Sequence, residues 1–188
     1  MTAPNPSLTC AAVLLAVSLG GCGVVIYDYV GPRGSYYDGA FEYATHRGAI
    51  VTELGGNPFA ISEERFRDLM LDNMRGNNRG RPADFVTAPS ERTLPVYKTV
   101  AVFNLATGVD DSDLCDGPGA VAIEPSPGRL RLNMAFCIGD ELVSSAWGYA
   151  TGVGGPDDPK LRKLIRGVTY ALVPFDDQVD DGNEQIPN

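Results

Sequence analysis

The chain has 188 residues, 44% of them hydrophobic and 21% charged, which suits one globular domain and is too apolar for wholesale disorder. Its formal net charge of −9 argues against nucleic acid as a partner, because phosphate contacts need clustered lysine and arginine. Residues 176–188 hold five acidic residues and no basic one, so −9 less −5 leaves −4 for the remainder. We expect this segment to be an acidic, disordered tail.

The N-terminal stretch has the pattern of a bacterial lipoprotein signal peptide. An apolar run over residues 8–19 leads into Gly20, Gly21 and Cys22. A signal peptidase needs small side chains before the cut, and the lipidating enzyme needs a thiolate just after it. We therefore predict removal of residues 1–21 and lipidation of Cys22, although the first seven residues lack the basic residues typical of an export signal.

Two alternatives stay open for this stretch. No charge precedes Asp28, so residues 8–27 also fit one uncleaved transmembrane helix of about 20 residues. A cleaved but unacylated product would instead be secreted. Gly23 stands after Cys22 in place of the aspartate that retains enterobacterial lipoproteins in the inner membrane. We therefore expect a membrane-anchored lipoprotein that faces the periplasm, on the outer membrane rather than the inner.

Residues 22–45 are rich in glycine and tyrosine and hold no helical or strand period for long, so they predict a tether. The tyrosines fit two roles, contact with lipid headgroups or packing back onto the domain. The globular domain is predicted over residues 46–175. It opens with a strand over residues 49–54, which Gly55 and the following residues end.

Two amphipathic helices are predicted from caps and apolar periodicity. Ser62 caps the first, Ile61 and Phe66 form a hydrophobic staple, and the buried stripe comprises Phe66, Leu69, Met70 and Met74. Asp158 caps the second and Pro159 fits its first position. The second buried stripe comprises Leu161, Leu164, Ile165 and Val168, with Lys160, Arg162, Lys163 and Arg166 on the outer face.

The remaining elements are strands. Residues 84–88 and 96–105 predict two of them, and residues 130–137 alternate apolar and polar positions as a half-buried strand does. A turn at Gly139 and Asp140 leads to a returning strand over residues 142–150. The predicted fold class is therefore α+β, an antiparallel sheet of about five strands with two amphipathic helices packed on one face.

The cysteines indicate a disulfide. Cys10 lies in the predicted leader and Cys22 is predicted to carry lipid, which leaves Cys115 and Cys137. An exported protein meets an oxidising compartment, so these two are expected to form a disulfide. The chain lacks a CxxC spacing, which argues against thiol catalysis and zinc binding.

No catalytic, metal-binding or cofactor-binding residues are predicted. His46 is the only histidine, and no Gly-x-Ser-x-Gly elbow accompanies it, while Ser144 and Ser145 fall in a predicted strand. The acidic loop over residues 110–116 lacks the spacing of an EF-hand, and Gly152–Gly155 lacks the lysine of a phosphate loop. The basic loop over residues 75–81 is expected to be a solvated surface, with an anionic lipid or acidic partner as the alternative.

Several short segments resemble a group of small proteobacterial lipoproteins of unknown function. The resemblance rests on Gly56-Asn57-Pro58-Phe59, Phe85-Val86-Thr87-Ala88-Pro89, Val102-Phe103-Asn104, Leu114-Cys115 and Ala135-Phe136-Cys137-Ile138-Gly139-Asp140. It spans about residues 46–175. The group implies the lipidated cysteine and the cysteine pair, and it brings no activity or site residues.

The sequence therefore predicts a lipid-anchored periplasmic envelope protein that acts as a non-enzymatic interaction or structural module. Its expected partners are the membrane, through the lipid anchor, and an envelope protein or anionic lipid. Two alternatives come from other classes. A ligand-binding lipoprotein for a small molecule or glycolipid would need a concave pocket, and a periplasmic hydrolase would need His46 or an acidic pair in such a pocket.

Overall fold

A computed structural model describes residues 23–30 and 39–174 of the chain. The predicted leader, Cys22 and the acidic tail over residues 176–188 lie outside the described residues. Within the described ranges, no helix has both the length and the apolar composition needed to cross a membrane.

A six-stranded mixed sheet forms the centre of the molecule, in the order β1-β6-β5-β4-β2-β3. The strands are β1 (Val24–Val30), β2 (Ala49–Gly55), β3 (Asp84–Val86), β4 (Tyr97–Phe103), β5 (Arg129–Ile138) and β6 (Glu141–Thr151). β1, β6, β5 and β4 pair antiparallel, whereas β2 runs parallel to both β3 and β4. The sheet thus has one strand more than predicted, and its far side is parallel rather than antiparallel.

The parallel side follows from the order of elements along the chain. A helix lies between β2 and β3, and parallel neighbours need such a crossover because a tight turn reverses the strand direction. By contrast, β5 and β6 are joined by the predicted two-residue turn at Gly139 and Asp140, so they form an antiparallel hairpin.

In the described part of the chain, three α-helices accompany the sheet: α1 (Ala40–Ala44), α2 (Glu63–Met74) and α3 (Pro159–Ala171). The caps of α2 and α3 are those predicted, because Ser62 Oγ accepts the Arg65 N–H at 3.2 Å and Asp158 Oδ1 accepts the Lys160 N–H at 2.8 Å. A 3-10 helix over Asp111–Asp116 follows β4.

Two hydrophobic clusters pack on the two faces of the sheet. The larger includes alternate residues of β5 with the buried stripes of the helices, and its members include Leu132, Met134, Phe136, Phe66, Met70, Leu164 and Val168. The smaller includes the intervening residues with the 3-10 helix, and its members are Val100, Val102, Leu105, Leu114, Cys115, Ala135 and Cys137. The fold class is α+β, as predicted.

The predicted tether over residues 22–45 is wrong for two of its stretches. Residues 24–30 form β1 at the edge of the sheet, paired with β6 along its length. Residues 40–44 form α1, whose Ala40, Phe41 and Ala44 are buried in the larger cluster. Phe41 packs edge-on against Phe136 with ring centroids 5.2 Å apart, so this stretch belongs to the core.

Candidate functional site

The described chain begins at Gly23, one residue after the predicted lipidation site, and it joins the sheet at once. Cys22 itself is outside the described residues, but the Gly23 carbonyl accepts the Thr151 N–H at 2.9 Å, and Val24 pairs with Ala150. One residue therefore separates Cys22 from the edge strand. A lipid on Cys22 would hold this end of the sheet against the bilayer, with no flexible spacer between them.

β1 is held in place by a close fit between Ile26 and two glycines. A Cβ atom at Gly167 in the middle of α3 would collide with Ile26 Cδ1. At Gly148 in β6 it would lie 2.7 Å from the Val25 carbonyl oxygen and 3.1 Å from Ile26 Cγ1. Glycine costs helix and strand stability, so its presence inside both elements is explained by the space that β1 needs.

The outward face of this edge carries stacked aromatic and arginine side chains, which we call the aromatic–arginine face: Tyr27, Arg129, Arg131, Trp147 and Tyr149. The rings of Tyr27 and Trp147 stack with centroids 4.3 Å apart, and the Arg131 guanidinium lies 4.5 Å from the Trp147 ring centroid. Arg129 lies likewise 4.5 Å from the ring of Tyr149. Tyr27 is 45% exposed, so the stack forms a partly apolar, cationic surface.

A buried polar cluster borders this face. Asp111 Oδ1 accepts from Asn133 Nδ2 at 3.0 Å, and Asp111 Oδ2 accepts from the Ser145 hydroxyl at 2.7 Å. Asn133 and Ser145 are fully buried, so the carboxylate satisfies donors that water cannot reach. The predicted disulfide between Cys115 and Cys137 is present and ties the same 3-10 helix to β5.

The acidic loop over residues 110–116 is organised as a capped helix. Asp110 and Asp113 form a reciprocal capping box, in which Asp110 Oδ1 also accepts from the Ser112 N–H at 2.9 Å. Hydrogen bonds from the Ser112 backbone and then from its hydroxyl hold the pKa of Asp110 below its usual value. Among the described residues, no group of three or more potential ligands is placed to hold a metal ion.

His46 and Ser144, the other candidates for catalysis in the sequence, have separate hydrogen-bond partners and do not contact each other through them. His46 is exposed, and its Nδ1 lies 2.7 Å from the Tyr43 carbonyl oxygen, to which it donates when that nitrogen carries the proton. The Ser144 hydroxyl donates to the Leu172 carbonyl at 2.6 Å. Each of these polar groups thus has a backbone partner.

The glycine-rich segment before α3 is used to begin that helix. Asp158 Oδ2 accepts the Gly154 N–H at 2.8 Å, so this N–H already has a carboxylate as its acceptor. The hydrogen bonds from Gly154 and then Lys160 lower the pKa of Asp158. Lys160 Nζ donates to the carbonyls of Thr151 and Gly152 at 3.2 and 3.1 Å, which places a cation beside the N-terminal end of β1.

Some arginines of the basic loop over residues 75–81 make contacts with the rest of the fold. Arg75 lies 3.5 Å from Asp84, and Arg79 donates to the Val173 carbonyl at 2.9 Å while its guanidinium lies 4.6 Å from the Tyr170 ring. Asn78 orders the loop through hydrogen bonds to the backbone at Arg79, Arg81 and Ala83. Two of the loop's arginines therefore have structural contacts that the sequence interpretation as a solvated surface did not foresee.

The comparisons with known proteins give only distant likenesses. No protein-family model matches the chain, and no curated protein matches it. A PelC dodecamer from Paraburkholderia phytofirmans is 17% identical, with 79% of this chain and 97% of that chain covered and a TM-score of 0.41. A variant of the same dodecamer is 15% identical, with coverage of 79% and 96% and the same TM-score. A TM-score of 0.41 does not establish a shared fold.

Proposed function

We propose that the protein is a lipid-anchored envelope lipoprotein, held on the periplasmic side of the outer membrane by an acylated Cys22, which works as a non-enzymatic interaction module. The observation that carries this proposal is the position of β1. Because the sheet begins at Val24, an acyl chain on Cys22 would fix the orientation of the whole domain at the bilayer.

The charges near the anchor support that orientation. Lys160 lies beside Gly23, and Arg129 pairs with Thr151 at the same end of the sheet. Cations close to a bilayer are attracted to anionic headgroups by about 1 kcal/mol each. The anchored end would therefore favour contact with the membrane, although the chain as a whole is acidic.

The aromatic–arginine face supplies the interaction surface of the proposal. Tyrosine, tryptophan and arginine dominate the binding energy of protein interfaces because they bury much area and retain polar contacts. Tyr27 and its neighbours would stand close to the membrane, where a second envelope protein could reach them. The non-enzymatic part of the proposal is supported by the contacts of His46, Ser144 and Ser145, each of which already has a hydrogen-bond partner within the fold.

The anchor is tested by replacing Cys22 with alanine and following the protein between membrane and soluble fractions. We expect Cys22→Ala to leave the membrane fraction and to lose incorporated palmitate label. Cys10→Ala is the matched control, since Cys10 lies in the leader that is removed, and it should behave as wild type. Membrane retention of Cys22→Ala, with residue 1 still present, would favour the uncleaved helix instead.

The interaction surface is tested by affinity capture from detergent-solubilised envelope, followed by mass analysis of what co-purifies. Tyr27→Ala should lose the captured protein, because it removes the exposed ring of the stack. Tyr43→Ala is the control, since Tyr43 is 57% exposed and packs against His46 and Tyr97 instead. The same captured proteins with wild type and Tyr27→Ala would contradict the assignment of this face.

A further inference from the structure

An open cleft of about 730 Å³ runs along the outer side of α3. Its helix wall is formed by Arg162, Lys163, Arg166 and Tyr170, and Asn77 and Asn78 of the turn after α2 form the opposite wall. Three cationic side chains thus border one groove, and Tyr170 lies at the end where α3 finishes. We call it the α3 cleft.

Among the side chains that the structure describes, these cations form no close ion pair. Within residues 23–27 and 39–174, no carboxylate lies within 4.0 Å of Arg162, Lys163 or Arg166. Arg162 instead donates to the backbone carbonyl of Asp157 at 3.0 Å. In a chain of net charge −9, three neighbouring cations favour an anionic occupant.

The chain itself supplies an anionic segment at the end of this cleft. Arg79 holds the Val173 carbonyl and stacks on Tyr170, and the described chain stops at Pro174 beside them. Residues 176–188 follow with five carboxylates and no cation, on Asp176, Asp177, Asp180, Asp181 and Glu184. The first of these is two residues from Pro174, a reach of up to about 7 Å.

The acidic segment is also long enough to span the cationic wall of the α3 cleft. Four residues of helix separate Tyr170 from Arg166, a rise of about 6 Å, and Arg162 is about 6 Å further along. The ten residues from Pro174 to Glu184 extend to as much as about 33 Å, which exceeds the length of the cleft's cationic wall. The segment can therefore turn back along α3 and bring several carboxylates to the three cations.

We propose that the acidic segment over residues 176–188 occupies the α3 cleft of its own chain, pairing its carboxylates with Arg162, Lys163 and Arg166. Each exposed pair is weak, but attachment to the end of α3 gives the segment a high local concentration. Salt weakens such contacts.

Carbodiimide coupling of the full-length protein tests this proposal, because the reagent joins an amine to a carboxylate that already touches it. The chain has only three lysines, Lys98, Lys160 and Lys163. Lys98 lies 3.2 Å from Glu53 and gives an internal positive control. We expect peptide mass analysis of the monomer to show Lys163 joined to residues 176–188, with a yield that falls at least threefold in 0.5 M NaCl.

A charge variant checks that the cleft attracts the segment. Arg162→Gln with Arg166→Gln should lower the Lys163 coupling severalfold, whereas Arg67→Gln with Arg92→Gln, which removes the same charge elsewhere, should leave it unchanged. The Lys98–Glu53 product and the melting temperature report whether each variant is folded.

Three results would overturn the proposal. The first is a Lys98–Glu53 product without any Lys163 product. The second is a yield of the Lys163 product that changes neither with salt nor on replacement of the two arginines. The third is coupling found only between light and heavy chains in an isotope mixture, which would make a second copy the occupant. None of these measurements depends on acylation of Cys22.

Discussion

Asp111 illustrates how a residue in an acidic loop can be structural. Its two carboxylate oxygens accept from Asn133 and Ser145, both on the sheet beneath, so the side chain closes a polar cluster. The sequence places Asp111 among three other aspartates, in an acidic loop without the spacing of an EF-hand. Local pattern could not distinguish it from its neighbours, because its partners lie more than 20 residues away along the chain.

Replacing Asp111 with alanine should lower the free energy of unfolding by about 1–3 kcal/mol, because it leaves buried donors on Asn133 and Ser145 without an acceptor. Denaturant unfolding monitored by tryptophan fluorescence measures the change. Asp116→Ala is the matched control, since Asp116 is exposed in the same loop and should change stability by less than about 0.5 kcal/mol. An equal loss of stability in the two variants would contradict the structural role of Asp111.

At the scale of elements, β1 depends on small residues that leave room for it. Gly148 lies in β6 opposite Ile26, and a Cβ there would press on the Val25 carbonyl, which is backbone and cannot rotate away as a side chain could. We therefore expect Gly148→Ala to lower the free energy of unfolding by about 1–3 kcal/mol and to speed hydrogen exchange in β1.

The control for that substitution is Gly119→Ala. A Cβ at Gly119 would meet nothing within 4 Å, and the residue is exposed, so neither stability nor exchange in β1 should fall. Unchanged protection of the β1 amides in Gly148→Ala would show that the strand does not rely on this close fit.

The disulfide joins the 3-10 helix to β5 across a separation of 22 residues. Closing a loop of that size stabilises a fold by about 3 kcal/mol in the chain-entropy model. Cys115→Ser should lower the melting temperature and leave one thiol that reacts with a thiol reagent after unfolding. The same melting temperature for oxidised and reduced wild-type protein would rule out this contribution.

Local signals predict α2, α3 and the β5–β6 hairpin well. Ser62 and Asp158 cap their helices as expected, and Gly139 begins the expected turn, because each of these features is decided within a few residues. β1 and the parallel pairing of β2 depend on partners far along the chain. The run of β-branched and aromatic residues over 24–27 and the helix between β2 and β3 were the available signals for them.

On the scale of the whole molecule, charge is distributed unevenly. Residues 176–188 carry −5 of the net −9, while the outer face of α3 carries Arg162, Lys163 and Arg166, and Lys160 lies near the N-terminal end of β1. The two proposals use different cationic regions. The acidic segment would bind the cations of the α3 cleft, and the lipid anchor would lie near Lys160. A lipid on Cys22 would set the distance of both from the bilayer, since only Gly23 separates that cysteine from β1.

The most direct test of the anchor is the intact mass of the protein purified from its native membrane. We predict the mass of residues 22–188 increased by that of attached acyl chains, which shows both removal of the leader and lipidation of Cys22. A mass that includes Met1 and no added hydrocarbon would contradict the account.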